Sequence, residues 1–275
     1  MTDATGYALL DVGGGGRLER FGDRIVDRPA PGAFDHRHDP GAWRAADLRF
    51  DRDRGWTGPA TDAGAWTVDV AGVTLELRPT DAGQVGLFPE HIATVPWMLG
   101  QGARTVLSLF AYTGLSTLAL ARSGVAVTHV DASRPAVAWA RRNAERSGLA
   151  GRPTRWIVDD AMGYVAREAR RGRTYDGIVL DPPTYGHGPG RRPWSMDELA
   201  GVLAACRSIL APGGFMHLTA HTPEYGPDRL GSLLAARPAS APAAVTTGGL
   251  AVETRDGRAL DLGAYARVAR TPDAA

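Results

Sequence analysis

Carboxylates, a lone glycine turn and a pair of prolines recur through the middle of the chain, and their types define the chemistry open to it. Phe110-Ala111-Tyr112-Thr113-Gly114 closes one apolar run. Asp131, with Ala132 and Ser133, closes the next; Asp159-Asp160, with Ala161, the third; Asp181-Pro182-Pro183, with Tyr185 just beyond, the fourth. An acidic side chain at such a point accepts hydrogen bonds from both hydroxyls of a ribose, and another can accept from an exocyclic amine. Phosphate is a poor match. A pyrophosphate needs a turn of several glycines at a helix start, whereas here a single Gly114 stands two positions after bulky Tyr112. All 31 basic residues are arginine, so neither a lysine Schiff base nor a P-loop lysine is available. A ligand with an amino-acid tail, a ribose and an adenine but no phosphate fits these residues better than a nicotinamide dinucleotide. S-adenosylmethionine is such a ligand.

The elements that must position these residues alternate. A buried strand over Thr105–Phe110 precedes a helix over Leu115–Arg122. A strand at Ala126–Val130 precedes a helix capped by Ser133, running to Ser147 and stopped by Gly148. A strand at Arg155–Val158 precedes a helix over Ala161–Arg171, and Gly177–Leu180 leads into Asp181. A loop rich in Gly, Pro and Arg, a helix over Met196–Leu210 and a strand at Phe215–Thr219 come next. A helix over Asp228–Ala236 and strands near Gly249–Glu253 and Ala264–Ala269 finish the chain. Repeated strand–helix units predict an α/β fold: a Rossmann-like, mostly parallel, seven-stranded sheet covered by helices. The ligand then lies at the carboxyl ends of the strands, where the four stretches end.

Residues 1–90 have a different texture. YALLDV, RLERF, WTVDV and VTLELR are short, partly alternating runs between turn signals, which predicts a small β-rich domain that could bind substrate, with 91–275 as the main domain. Gly13–Gly16 reads as a hairpin turn, since no long apolar strand precedes it and no helical pattern follows. His36 and His38, with Asp35 and Asp39, read as a solvated loop, because no third partner stands at ligand spacing, and no metal site is expected. Before the main domain, Pro89–Leu99 predicts a helix kinked or shortened at Pro96. The 275 residues contain no apolar run long enough to span a membrane, and the N-terminus lacks a signal-peptide layout. The expected location is cytoplasmic.

VLSLFAYTG, HVDAS, VDDAM and IVLDPPTY, in this order, resemble the successive motifs of class I S-adenosylmethionine-dependent methyltransferases. They look most like the large-subunit ribosomal RNA cytosine-5 methyltransferases and their relatives. The resemblance covers about residues 84–222 and implies the following roles. Phe110, Tyr112, Thr113 and Gly114 line the methionine end. Asp131, with Ala132 and Ser133, holds the ribose. Asp160, in preference to Asp159, meets the adenine with Ala161 beside it. Asp181, Pro182, Pro183 and Tyr185 face the methyl group and the acceptor. Helix capping is the competing reading of Asp131 and Asp160.

One departure matters. Methylation at cytosine carbon 5 needs a thiolate to attack the ring, and in the resembling family that cysteine follows the fifth strand. Here the segment is HLTAHTP, with His221 where the cysteine would be; the only cysteine, Cys206, keeps helical register with Leu199, Val202, Leu203 and Leu210 and reads as core. The expected acceptor therefore carries its own lone pair, nitrogen or oxygen. An RNA base would use Arg191 and Arg192 on phosphate and Trp194 or Tyr185 on the ring, with Arg167, Arg170, Arg171 and Arg173 as a second basic cluster or a solvated face. A planar small molecule is the alternative, favoured by the net charge of only +1.

Overall fold

The computed structural model describes residues 6–187, 193–235 and 244–270. By compactness the chain divides into Met1–Ile92 with Ala251–Leu262, and Ala93–Leu250 with Gly263–Ala275.

The first unit is made mostly of short strands. In chain order it contains β1 (Tyr7–Gly13), β2 (Gly16–Phe21), β3 (Arg24–Pro29), α1 (Pro40–Arg44), β4 (Leu48–Asp51), β5 (Gly55–Thr57), β6 (Trp66–Val70) and β7 (Val73–Leu77). Strands β1 to β5 form one sheet in sequence order, and β6 pairs with β7; all these pairs are antiparallel except β3 with β4. Gly13 pairs with Gly16 across the first turn, where Gly14 and Gly15 take φ of 57° and 74°. A two-residue hairpin turn needs that backbone, so the four glycines are the expected turn. Late in the sequence, Arg258 Nη1 donates to buried Asp11 Oδ1 at 2.7 Å, while Trp43 Nε1 donates to Asp11 Oδ2 at 2.6 Å. This carboxylate ties Ala251–Leu262 to the first unit, a segment that a division at residue 90 leaves with the rest.

The second unit holds α2 (Val95–Leu99), β8 (Thr105–Leu109), α3 (Leu115–Arg122), β9 (Ala126–Asp131), α4 (Arg134–Arg146), β10 (Thr154–Val158), α5 (Ala161–Arg170) and β11 (Tyr175–Leu180). It continues with β12 (Tyr185–His187), β13 (Pro193–Ser195), α6 (Leu199–Arg207), β14 (Leu210–Ala220) and α7 (Pro227–Ala235). The last two strands, β15 (Val245–Glu253) and β16 (Ala259–Val268), belong to it only in part, because Ala251–Leu262 falls in the first unit. Seven strands form one mixed sheet in the order β10-β9-β8-β11-β14-β16-β15. The pairs from β10 through β14 are parallel, and β14 with β16 is antiparallel. Val106, Leu107 and Leu109 of β8 are fully buried, as a strand covered on both faces must be. Strand order reverses between β8 and β11, and such a switch point opens a crevice at the carboxyl edge.

Several boundaries differ from expectation. Phe110 lies outside β8, because its φ of 55° ends the extended run. The helix expected over Pro89–Leu99 is a 3-10 turn, Pro89–Thr94, followed by α2; Pro96 sits in the first turn of α2, where a missing N–H costs nothing, so it opens the helix instead of kinking it. The helix expected over Met196–Leu210 is a 3-10 turn, Met196–Glu198, and then α6; Leu210 already belongs to β14, where it pairs with Tyr175. The loop after Asp181 contains the short β12–β13 hairpin, with Tyr185 opposite Ser195. Both final strands are longer than expected. Arg191 and Arg192 lie outside the described residues, as does the side chain of Tyr185.

Candidate cofactor and acceptor site

The loop after β8 is held in an unusual shape. Phe110, Tyr112 and Gly114 all have left-handed backbone, with φ of 55°, 47° and 93°. Glycine adopts this freely, whereas each bulky residue costs of order 1–3 kcal/mol and persists only where its surroundings enforce it. Gly114 has a second reason to lack a side chain: a Cβ there would sit 3.2 Å from Ala140 Cβ of α4.

Asp131, half-buried at the end of β9, supports this loop. Its Oδ2 accepts from Tyr112 N at 2.9 Å and its Oδ1 from Ser133 N at 2.8 Å. Burial raises its carboxyl pKa above the ordinary aspartate value, and the two backbone N–H groups oppose that shift only partly. Ser133 is the N-cap of α4, its side chain accepting from Ala136 N at 3.3 Å. Ala132 lies between them, half-buried.

Asp160 caps α5, its Oδ1 accepting from Gly163 N at 2.7 Å, with buried Ala161 as the first helical residue. The capping reading of Asp160 is therefore observed, which leaves lone-pair capacity for a further donor. Asp159 is committed to Arg167 by an ion pair and to Asp160 N at 3.0 Å.

Asp181 follows β11. Its Oδ1 accepts from Thr219 Oγ1 at 2.6 Å and lies 3.1 Å from His221 Nε2. Parallel pairing of Leu180 with Leu218 sets Asp181 beside Thr219, and His221 follows two positions on. Pro182 is buried and Pro183 exposed. The Pro183 carbonyl accepts from Trp194 Nε1 at 2.8 Å, and the Trp194 ring lies 4.9 Å from that of Phe110, tilted by 52°. Trp194 thus links the end of β11 to the loop after β8. All the predicted positions except Tyr185, whose side chain is not described, are accounted for at this one edge of the sheet.

No family model matches the chain. Among solved structures, it is similar to a SAM-dependent methyltransferase from Agrobacterium tumefaciens at 36% identity and a TM-score of 0.90, covering 96% of this chain and 90% of that one. The chain belongs to the S-adenosylmethionine-dependent methyltransferases. A Streptococcus mutans protein described as a SAM-dependent methyltransferase has the same fold at 16% identity, with a TM-score of 0.76 over 98% of this methyltransferase and 76% of that chain. Two curated relatives are each named ribosomal RNA large subunit methyltransferase K/L. The one from Hahella chejuensis is 31% identical over 159 residues, 54% of this methyltransferase and 21% of the relative. The one from Magnetococcus marinus is 37% identical over 117 residues, 42% and 16% respectively. The methyltransferase thus spans about a fifth of the length of these relatives. The comparisons support the wider group; the narrower cytosine-5 resemblance they do not support.

Three polar residues of this methyltransferase escaped the sequence reading. Asn143 of α4, fully buried, donates from Nδ2 to Thr113 O at 3.0 Å. His129 of β9, also fully buried, has Nδ1 3.0 Å from Thr117 Oγ1, and burial, with Arg141 adding to it, pushes its pKa down to about 3. Thr219 donates to Asp181. Asn143 carried a signal, a polar residue on the apolar face of a helix. The other two looked like ordinary strand residues. The arginine cluster is also altered by its surroundings: Arg167 pairs with Asp159, and Arg171 and Arg173 lie 2.8 and 3.8 Å from buried Glu168. No helix among the described residues is long and apolar enough to cross a membrane.

Proposed function

We propose that this methyltransferase moves the methyl group of S-adenosylmethionine to a nitrogen or oxygen atom of a base in ribosomal RNA, in the cytoplasm. The observation that carries the lone-pair acceptor is the state of Cys206. It lies wholly inside the core, where burial pushes its thiol up to about 12, so it offers no thiolate for attack on a pyrimidine ring. An acceptor with its own lone pair needs alignment and removal of a proton, not a covalent step. The kinship with large-subunit ribosomal RNA methyltransferases supports the RNA base.

The residues suit the cofactor. When bound, it supplies a methyl group on a sulfonium. In this reading Phe110, Tyr112, Thr113 and Gly114 receive the methionine end, Asp131 accepts from the ribose hydroxyls with Ala132 and Ser133 alongside, and Asp160 with Ala161 meets the adenine. Asp131 suits that role because it is half-buried and acidic, and each oxygen keeps a lone pair beyond its backbone contact. Asp181 accepts a hydrogen bond from the acceptor's N–H or O–H, Pro182 and Pro183 shape the wall, and Tyr185 or Trp194 stacks on the ring. His221 takes up the proton. The β-rich residues 1–90 contribute substrate binding.

A planar small molecule is the second reading. Pairing of Arg167, Arg171 and Arg173 with carboxylates favours it, since these arginines are partly neutralised before any phosphate arrives. Transfer of a labelled methyl group into total RNA or into a metabolite extract separates the two. Label in ribosomal RNA supports the first; label only in small molecules replaces it with the second.

A further inference from the structure

We propose that Asn143 is a positioning residue for cofactor binding, which holds the loop after β8 in its binding shape before the cofactor arrives. The proposal rests on the reading that this loop carries the cofactor.

A buried asparagine inside a helix needs a reason. It is a weaker helix former than alanine or leucine, and its amide costs free energy when taken from water unless it is hydrogen-bonded. The other buried residues of α4 are Ala136, Val137, Trp139, Ala140 and Ala144. Asn143 stands among them fully buried, and its Nδ2 donates to the carbonyl of Thr113 at 3.0 Å.

Thr113 lies between Tyr112 and Gly114, both in left-handed backbone. On the other side of Tyr112, its own N–H donates to Asp131 Oδ2 at 2.9 Å. The strained residue is therefore pinned through the N–H before it and the carbonyl just after it. Asn143 and Ala140 are one helical turn apart and face the same way. Ala140 leaves the narrow space that Gly114 fills, and Asn143 grips the next peptide unit. Trp139, at 6.2 Å between ring centroids, flanks Tyr112. A loop that would otherwise relax to ordinary backbone is kept in one shape, which lowers the ordering cost of binding.

Such a residue changes cofactor affinity and leaves the transfer step alone. Asn143→Ala and Asn143→Asp, the latter of equal shape but with no N–H to donate, are titrated with S-adenosylhomocysteine by calorimetry, beside Asp131→Ala. The expected result is a Kd raised roughly tenfold in both Asn143 variants, as loss of one buried hydrogen bond implies. KM for the cofactor rises in step, while kcat at saturating cofactor and KM for the acceptor stay within about twofold. An unchanged Kd in the Asn143 variants, with a weakened Asp131→Ala, overturns this proposal alone. An unchanged Kd in all three overturns the siting of the cofactor. Hydrogen exchange on the unmutated protein decides the matter where variants fail to fold: the Tyr112 amide is protected without cofactor if the loop is pre-set, and rapid exchange there refutes it.

Discussion

Asp181 Oδ1 stands 3.1 Å from His221 Nε2, and each is the first residue past the carboxyl end of one of two neighbouring parallel strands, β11 and β14. With Nε2 engaged by a carboxylate, the histidine ring is held in one orientation and its tautomer is biased. Thr219 donates to the same carboxylate oxygen and fixes its rotamer. In the proposed reading this pair is what takes up the acceptor's proton.

Asp181→Asn and His221→Ala should therefore separate chemistry from cofactor binding. Loss of a positioned acid–base group lowers kcat about 10²–10⁴-fold, and calorimetric Kd for S-adenosylhomocysteine should stay near the wild-type value. His221→Ala should also change the pH–rate profile of the transfer reaction. A pH–rate profile unaltered in His221→Ala would remove His221 from proton transfer.

Asp131→Ala should abolish most of the cofactor affinity, because it removes both the proposed ribose acceptor and the carboxylate that holds the Tyr112 N–H. The pH dependence has a definite sign. Burial raises the Asp131 carboxyl pKa, so protonation on acidification, and with it loss of cofactor binding, begins at a higher pH than for an ordinary aspartate. Affinity measured on a falling pH series checks this; a flat series in the acid range contradicts it.

Gly114→Ala should weaken cofactor binding and destabilise the fold together. The φ of 93° and the Cβ contact of 3.2 Å to Ala140 act on the same atom. Left-handed backbone alone costs alanine about 1–2 kcal/mol. Adding Ala140→Gly should relieve the contact but not the backbone cost, so the double variant should recover stability only in part. Thermal unfolding of the three proteins reads the difference.

His129 predicts an acid sensitivity unrelated to catalysis. Its folded pKa is pushed below the ordinary value of 6.5, to about 3, so the unfolded chain binds more protons between those limits. Stability conferred by keeping His129 neutral is present above about pH 6.5 and falls by up to about 1.4 kcal/mol per pH unit as pH drops toward 3. Denaturant unfolding at stepped pH should show this slope. His129→Gln should flatten it, even where it lowers stability overall.

Much of the architecture was legible from local signals. The apolar run at Val106–Leu109, the caps Ser133 and Asp160 and the stop at Gly148 depend on a few neighbouring side chains, and the strands and helices formed near where these residues stand. The boundaries that moved did so through distant partners. Leu210 joined a strand because Tyr175 lies beside it, and Phe110 left one because the loop turned there. Likewise, nothing in the spacing of the arginines announced that buried Glu168 draws on Arg155, Arg171 and Arg173.

By itself the sequence determined the alternation of strand and helix, the acidic residues at the strand ends and the absence of any lysine or exposed thiol chemistry, because each follows from composition or from contacts a few residues long. Only the tertiary structure decided that β8 lies beside β11, that Asp181 meets Thr219 and His221, and that Asn143 reaches the carbonyl of Thr113. Those relations join residues 30 to 71 positions apart. They exist only once strand order and register have closed the chain on itself, and no local preference encodes them.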